Sequence, residues 1–161
     1  MSVRAFIGLG SNLGDPAVTL RRALEDLELV PSSRLVARSP LYANPPLGPV
    51  AQGEFVNAVA ELATTLSARA LLAELRRIEA AHGRTRDGTR WGPRTLDLDL
   101  LLHGATVLDD PDLHLPHRGL PTRNFVLYPL HDLAPELVVP GAGALRELLA
   151  RCSADGLRRL D

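Results

Sequence analysis

The chain has 161 residues, of which 45% are hydrophobic and 23% charged, and its formal net charge is −1. This balance predicts one globular domain spanning residues 1–161, and the near-zero charge argues against a nucleic-acid or anionic-lipid partner. One cysteine excludes an internal disulfide, and no apolar run approaches the roughly 18 residues of a membrane span, so the cytoplasm is the expected compartment.

The first half of the chain alternates strand-like and helix-like patterns. Asp15 is placed to cap a helix that begins at Pro16, because aspartate accepts amide hydrogen bonds and proline suits the first helical turn. Pro40 lacks an amide hydrogen, which weakens the second strand toward an edge position. The predicted segments are a strand at 3–9, a helix over 16–29, a strand at 33–43 and an irregular, proline-rich stretch at 44–53.

The second half continues the alternation and ends in a mixed segment. Ser67 is placed to cap a helix with Leu71, Leu75 and Ile78 on one stripe, and Gly83 is placed to stop it. The predicted segments are a strand at 54–64, that helix, a loop at 84–95, a strand at 96–102, a hairpin-like return at 103–113, and short helices near 117–133 and 144–151.

The order of these segments, β-α-β-β-α-β, predicts the fold class. It is typical of an α+β, ferredoxin-like fold, in which helices pack on one side of a mainly antiparallel sheet. A small helical and loop segment completes the carboxyl-terminal part. The other face of the sheet would then be free to carry a site.

Asp97 and Asp99 lie one residue apart in an apolar strand and predict a cation site. Side chains at i and i+2 leave a strand on the same face, so the two carboxylates repel each other unless a positive group lies between them. Carboxylates are ligands that Mg²⁺ prefers, and such a pair could bridge two ions. The alternative is a solvated sheet face or ion pairs with arginine, which is the commoner fate of such a pair taken alone.

Four arginines precede the two aspartates within eleven residues, and all 18 positively charged residues of the chain are arginine. Guanidinium groups beside a metal pair suit a polyphosphate, and a solvated basic loop is the equally weighted alternative. Trp91 lies in the middle of this loop, where it could stack on a planar ligand or fill the core. The four arginines are Arg84, Arg86, Arg90 and Arg94.

Two more groups of residues are candidates for ligand contact. Phe55 and Asn57 share one face of a strand and could bind a flat heterocycle, or could serve the core and the loop backbone. His117 has no histidine at zinc-ligand spacing, so it predicts a hydrogen bond to phosphate or ribose, with a surface histidine as the alternative. Arg118, Arg123 and Phe125 follow it closely.

Several familiar sites and functions are disfavoured. The glycine turn at 8–14 is neither a P-loop nor a Rossmann fingerprint, and no G-x-S-x-G elbow is present. A two-metal phosphoesterase or nuclease could use the same aspartates, but it gives no reason for the amide and aromatic set. An RNA-binding sheet would need more than 4% aromatic residues and a basic face.

The segments "GLGSNLGD", "PPLGP", "FVNAV", "RWGPRTLDLDLLL" and "LPH" resemble 6-hydroxymethyl-7,8-dihydropterin pyrophosphokinases over essentially the whole chain. The resemblance implies an α+β fold on a ferredoxin-like sheet. It also implies an enzyme of folate biosynthesis that transfers pyrophosphate from MgATP to the hydroxymethyl group of the pterin and releases AMP. ATP and the pterin would be its partners, without nucleic acid or membrane; a monomer is expected, with a dimer left open.

The resemblance also implies residue roles. Asp97 and Asp99 would hold two Mg²⁺ ions, while Arg84 and Arg94 would engage the phosphates as catalytic residues. No dedicated general base stands out; Asp97 or a metal-lowered pKa of the substrate hydroxyl could serve. The implied pterin-binding residues are Asn44, Pro45, Leu47, Phe55, Asn57, Trp91 and Phe125. The implied ATP-binding residues are Glu79, Arg84, Arg90, Arg94, Leu100, His117 and Arg123.

At some positions the chain departs from the pattern of the well-known bacterial members. Asn44 stands where threonine is familiar and Phe55 where tyrosine is familiar. The remaining departures concern the nucleotide side and are Arg76, Asp112, His114 and Arg118. None of them removes an implied metal ligand or phosphate arginine, so they bear on the details of nucleotide and pterin contact rather than on the reaction.

Overall fold

The computed structural model describes residues 1–45, 53–83 and 95–161. The helices are α1 (Pro16–Glu28), α2 (Ala68–Ala81), α3 (Asn124–Leu133) and α4 (Leu145–Ala150). The longer strands are β1 (Val3–Ser11), β2 (Ser33–Arg38), β3 (Tyr42–Asn44), β4 (Phe55–Thr64) and β5 (Asp97–His103). The two-residue strands are β6 (Leu108–Asp109), β7 (His114–Leu115), β8 (Val138–Val139), β9 (Gly143–Ala144) and β10 (Arg158–Arg159).

A six-stranded sheet organises the chain. Its order is β10-β3-β4-β1-β5, and β2 pairs with β4 beyond the part of β4 that β3 occupies. Every pairing is antiparallel. The mixed helix and strand architecture with an antiparallel sheet is therefore confirmed. β6 with β7 and β8 with β9 form two separate small hairpin sheets, the first of which is the predicted return after β5.

The strand predicted at 33–43 is wrong as one element, because it is broken into β2 and β3. Ser39 bridges the break: its amide donates to Val59 O at 2.8 Å and its hydroxyl accepts from the Val59 amide at 2.9 Å. Pro40 follows and has no amide hydrogen to continue the ladder. Both pieces pair with β4, so the break shifts the chain along the same neighbouring strand.

Helices α1 and α2 cover one face of the sheet. The Asp15 carboxylate accepts from the Val18 amide at 3.3 Å, and the Ser67 hydroxyl accepts from the Ala70 amide at 3.1 Å, so both predicted caps are confirmed. Gly83 ends α2 with φ +81°, the left-handed conformation that favours glycine. The apolar faces of these helices pack on alternate residues of β1, β4 and β5; the fully buried ones include Ile7, Leu62, Leu71, Leu75 and Leu98.

The opposite face is not free, which corrects the expectation of helices on one side only. Phe6 and Val59 point away from α1 and α2 and pack with α3 and α4 in a second buried cluster. The last helical segments therefore make a third layer over one end of the sheet. The other end of this face, toward β5 and the carboxyl end of β1, carries the polar residues considered below.

The last strand, β10, was not predicted. It pairs with β3, and Tyr42 on β3 in turn hydrogen-bonds through its hydroxyl to Asp132 of α3. Burial and that hydrogen bond raise the pKa of Tyr42 to about 12, so the phenol stays protonated at neutral pH. β3 is thus attached to three elements although it is only three residues long.

In the part of the chain that the structure describes, none of the helices has the length and apolar character needed to cross a bilayer.

Candidate functional site

The register of the sheet brings the predicted acidic and amide residues onto one face. Gly10 of β1 pairs with Asn57 of β4 on one side and with Asp97 of β5 on the other. Gly8 pairs in the same way with Val59 and Asp99. Because side chains at i and i+2 share a face, both aspartates and Asn57 lie on the α3 side of the sheet. The aspartate pair and the amide are therefore two strands apart, about 10 Å.

Between them, the central strand carries no side chains. A methyl group added at Gly10 would lie 2.8 Å from Asn57 Oδ1 and 4.0 Å from Asp97 Cβ. We call Gly8 and Gly10, with the space above them, the glycine trough. Its floor is backbone, and its two walls are β4 and β5. Sequence reasoning treated this glycine segment as a weak turn signal and missed the trough, although glycines at i and i+2 opposite two aspartates at i and i+2 could have indicated it.

The β4 wall presents amide groups and an aromatic ring. The Asn57 side-chain amide donates to Asn44 Oδ1, and Asn44 Nδ2 donates to Pro45 O at 3.1 Å. Asn44 and Asn57 are 5% and 6% exposed, which makes their orientation well determined by packing. No described residue donates to Asn57 Oδ1, which faces the trough. Phe55, half-buried, pairs with Asn44 across the two strands.

The β5 wall presents Asp99 to His117. Nε2 of His117 lies 3.7 Å from Asp99 Oδ1, and Nδ1 accepts from the Gly119 amide at 3.1 Å. Burial lowers the pKa of His117 against the opposing pull of Asp99, and Arg123, His114 and Arg76 lower it further. The imidazole is therefore neutral at pH 7, with its proton on Nε2, and can donate to a ligand oxygen beside Asp99.

Arg123 joins this group to the aromatic side of the site. Its guanidinium lies over the Phe125 ring, with 5.8 Å between its central carbon and the ring centroid. A methyl group added at Gly119 would lie 2.5 to 2.8 Å from the Arg123 side chain, so Gly119 leaves room for it. A cation stacked on an aromatic ring and next to His117 suits recognition of a phosphate.

Helix α2 holds the backbone between the two aspartates. Glu79, 2% exposed, accepts the Leu98 amide hydrogen at 2.8 Å and an Arg76 hydrogen bond at 3.0 Å. Arg76 also donates to Leu98 O at 3.2 Å. Since β5 is the last strand of the sheet, these side chains satisfy peptide groups that would otherwise pair with another strand. Glu79 is therefore a residue that supports Asp97 and Asp99 from behind.

The other departures from the resemblance have partners within the chain. The Asp112 carboxylate pairs with Arg69 at 2.7 Å, and Asp110 pairs with the same guanidinium. That ion pair lowers the pKa of Asp112. His114 Nδ1 lies 2.7 Å from Pro116 O, and Arg118, on the exposed rim, lies 3.1 Å from Asp109.

The predicted site residues fall into three groups. One group surrounds the trough and its rim: Asn44, Pro45, Phe55, Asn57, Asp97, Asp99, His117, Arg123 and Phe125. Two residues are turned into the protein: Glu79, and Leu100, which is 2% exposed in the α1/α2 core and offers only its backbone to this face. The last group lies outside the described residues: Leu47, Arg84, Arg90, Trp91 and Arg94.

The donor set fits magnesium in chemical type. Among the described residues no group of three or more histidine, cysteine or acidic side chains is arranged around one point. Two carboxylates on a rigid strand, with the trough open beside them, leave room for water and substrate oxygens in the remaining positions. This is the usual way in which Mg²⁺ is held beside a phosphate substrate.

The trough makes a steric prediction. Replacing Gly10 by alanine should push Asn57 out of place and reduce kcat/KM, because a methyl group 2.8 Å from Oδ1 cannot be accommodated without movement. Overpacking of this kind costs about 1–3 kcal/mol, which corresponds to roughly 10–100-fold. Gly8→Ala is the matched control, since its methyl group would meet Leu101 at an ordinary 3.4 Å. Equal losses in the two variants, measured by steady-state kinetics, would contradict the steric argument.

Comparison with known proteins gives a consistent family. The family model described as 7,8-dihydro-6-hydroxymethylpterin-pyrophosphokinase (HPPK) matches residues 6–135. The chain is 52% identical over 160 residues to the 2-amino-4-hydroxy-6-hydroxymethyldihydropteridine pyrophosphokinase of Pseudomonas aeruginosa, covering 99% of this chain and 98% of that protein. It is 44% identical over 158 residues to the protein of the same name from Methylorubrum extorquens, covering 98% and 99%.

Solved structures agree on the fold. The HPPK-DHPS S436F/A437G/A613T triple mutant of Plasmodium falciparum with pteroate superposes with a TM-score of 0.71 at 16% identity. The A437G form with SDX-DHP gives 0.74 at 15%. Each covers 94% of this chain, whereas this chain spans 43% and 45% of those chains. At such identities the likeness concerns the fold alone.

Proposed function

The chain belongs to the 7,8-dihydro-6-hydroxymethylpterin-pyrophosphokinase family, and from that premise we propose that its reaction takes place across the glycine trough. The enzyme transfers a pyrophosphoryl group from ATP to 6-hydroxymethyl-7,8-dihydropterin in folate biosynthesis. The observation that supports this location is the pairing of Asn57, Gly10 and Asp97 in one row of the sheet. That row puts a heterocycle wall and a metal-ligand wall on either side of an open floor.

The β4 wall is the proposed pterin half of the site. Asn57 Oδ1 can accept from a ring N–H of the pterin, and the Asn44–Asn57 hydrogen bond orients both amides before the substrate arrives. Phe55 and Phe125 are proposed to flank the ring, because planar heterocycles gain from contact with aromatic faces. Pro45 is proposed to line the same pocket, with Leu47 and Trp91 assigned to it from the family resemblance.

The β5 wall is the proposed triphosphate half. Asp97 and Asp99 would hold Mg²⁺, two ions in our proposal, which when bound neutralise charge on the phosphate oxygens. His117 Nε2–H and Arg123 are placed to donate to oxygens of the same nucleotide. Arg84, Arg90 and Arg94 are assigned to the nucleotide from the resemblance. For Glu79 we propose support of β5, and for Leu100 only a backbone contact.

The pterin hydroxymethyl oxygen is proposed to attack the β-phosphorus of ATP. A bond forms between that oxygen and the β-phosphorus, the bond from the β-phosphorus to the α,β-bridging oxygen breaks, and AMP leaves. The hydroxyl proton is released, and Asp97 is the described residue on this face that could accept it. Placement of the two substrates on opposite walls is what this chain contributes: it aligns the attacking oxygen and excludes water.

Nucleotide product analysis tests the reaction. Purified protein with MgATP and 6-hydroxymethyl-7,8-dihydropterin should yield AMP and the pterin diphosphate in equal amounts, and neither should form without the pterin. The same assay with water as the only acceptor separates this enzyme from a two-metal phosphoesterase, which would hydrolyse ATP without the pterin. Formation of ADP, or of phosphate without pterin, would sink the proposal.

Other features remain proposals. We propose that residues 1–161 form one catalytic unit, that the arrangement of β1, α1, β2 with β3, β4, α2 and β5 is ferredoxin-like, and that a small helical segment follows it. The strand order β3-β4-β1-β5 supports the ferredoxin-like assignment. A monomeric state, with a dimer left open, and a cytoplasmic location stay predictions from the sequence, as does the lack of a nucleic-acid or membrane partner.

A further inference from the structure

Strand β3 reaches the pterin half of the site but is short. It pairs with β4 through three residues only, and Asn44 at its end is opposite Phe55. Short strands with one partner are weakly held. The position of Asn44, and through it that of the Asn57 amide, therefore depends on what else holds β3.

The segment 153–161, which we call the tail, is that second partner. β10 pairs Arg158 with Ala43 and Arg159 with Tyr42. The ladder continues beyond the strand, because the Leu160 amide donates to Leu41 O at 2.8 Å. On the same residue, the Leu41 amide donates to Asp161 Oδ1 at 2.7 Å.

The tail also contacts both sides of the segment that connects β3 to β4. Gly156 lies against Pro45, so closely that an added methyl group would be 3.1 Å from Pro45 Cδ. The Arg158 guanidinium forms two hydrogen bonds of 3.3 Å with the Glu54 carboxylate, directly before Phe55. Exposed ion pairs of this kind contribute little by themselves, so the backbone ladder carries most of the attachment.

The tail is anchored in turn to α3. Asn124, the first residue of that helix, donates through its side-chain amide to Ser153 O at 3.0 Å and to Asp155 O at 3.1 Å. Phe125, the next residue, is a proposed pterin contact. One segment thus links the first turn of α3 with β3, the two elements that carry Phe125 and Asn44.

We propose that the tail positions the pterin half of the site, with Leu160 acting through its amide as a positioning residue for Asn44. This inference rests on the proposed function, because it assumes that Asn44 and Asn57 face the pterin. It implies that loosening the tail weakens pterin binding and leaves nucleotide binding unchanged, since β1 and β5, which carry the other half, make no strand pairing with β10.

The test is a pair of substitutions at one position. Leu160→Pro removes the amide that donates to Leu41 O, whereas Leu160→Ala keeps it and trims a side chain that is 42% exposed. Leu160→Pro should raise the KM for the pterin about tenfold, with kcat changed less than threefold and the KM for ATP less than twofold. Leu160→Ala should leave all three within about twofold, since a trimmed exposed side chain changes little.

Two further measurements keep the outcomes separate. Circular dichroism and thermal unfolding establish that both variants are folded, and Arg158→Ala provides a milder lesion if Leu160→Pro does not fold. Asn57→Ala tests the pocket itself: an unchanged pterin KM there would mean that the pterin assignment fails. If Asn57→Ala raises the pterin KM while Leu160→Pro does not, or if Leu160→Pro raises both KM values equally, the positioning role of the tail is overturned.

Discussion

Replacing Asp97 or Asp99 by asparagine is expected to reduce magnesium-dependent transfer by about 10²–10³-fold or more while the chain remains folded. The two carboxylates lie on one strand face, about 6.6 Å apart along the strand, beside an open trough. Asparagine keeps the shape and most of the hydrogen-bonding ability, but it removes the charge that a divalent cation requires. Binding of ATP should therefore lose most of its dependence on Mg²⁺.

Two readouts check this expectation. Isothermal titration with ATP, at several magnesium concentrations, measures binding without turnover, and thermal unfolding measures the fold. Glu61→Gln is the control, because Glu61 is an acidic residue on the same sheet face that pairs with Arg4 at 3.0 Å, away from the trough. It should lower stability yet keep the magnesium response. An Asp97 or Asp99 variant that stays active but unfolds at a much lower temperature would instead indicate a structural ion pair.

Removing the Glu79 carboxylate should lower both stability and activity. Glu79→Ala leaves the Leu98 amide hydrogen without its buried acceptor, a loss of about 1–3 kcal/mol, and deprives Arg76 of a partner. Because Arg76 is 37% exposed, solvent screening reduces the ion-pair share, and a total near 2–3 kcal/mol is expected. Leu98 lies between the two aspartates, so we also expect kcat/KM to fall roughly 10–100-fold through displaced carboxylates.

The helix supplies its own control. Glu74 and Arg77 form a similar pair, 2.7 Å apart, on the exposed side of α2, where Glu74→Ala should cost less than about 1 kcal/mol and leave kinetics unchanged. Glu79→Gln keeps an acceptor for the Leu98 amide and should recover most of the stability. Thermal unfolding and kinetics on the three variants suffice; similar behaviour of Glu74→Ala and Glu79→Ala would show that Glu79 has no special relation to β5.

Much of the sheet was predictable because its residues follow a local pattern. The alternation of β4 and the apolar run of β5 depend on which neighbours bury each side chain, and that burial is written in the sequence at period two. The caps Asp15 and Ser67 are local as well, since their acceptors lie three residues away. The same local pattern put Asp97 and Asp99 on one face.

What could not be predicted depends on distant pairing. β10 consists of two arginines without apolar alternation, and only its partner β3, more than a hundred residues earlier, makes it a strand. The break at Ser39 and Pro40 is stabilised by Val59 on another strand. The one-sided helix layer was wrong because a strand pattern does not show which later helix covers the second face.

The site shows the same division. Asp97, Asp99, Asn57 and Phe55 were identified as candidates by residue type and spacing, and the sheet does put the first three around one trough. The support role of Glu79 depends on a 2.8 Å contact between a helix side chain and a strand amide, which no spacing rule indicates. The family resemblance, in contrast, covered residues that local chemistry alone left undecided, and the family itself is confirmed.

The backbone floor of the trough restricts how this site can diversify, in nature or in the laboratory. A side chain can be exchanged for another of similar size, but Gly10 can only gain atoms, and its first added carbon already collides with Asn57 Oδ1. Selection for a new acceptor molecule must therefore act on the walls, where Asn44 and Phe55 offer side chains to vary. The floor can be inherited or lost, but it cannot be retuned.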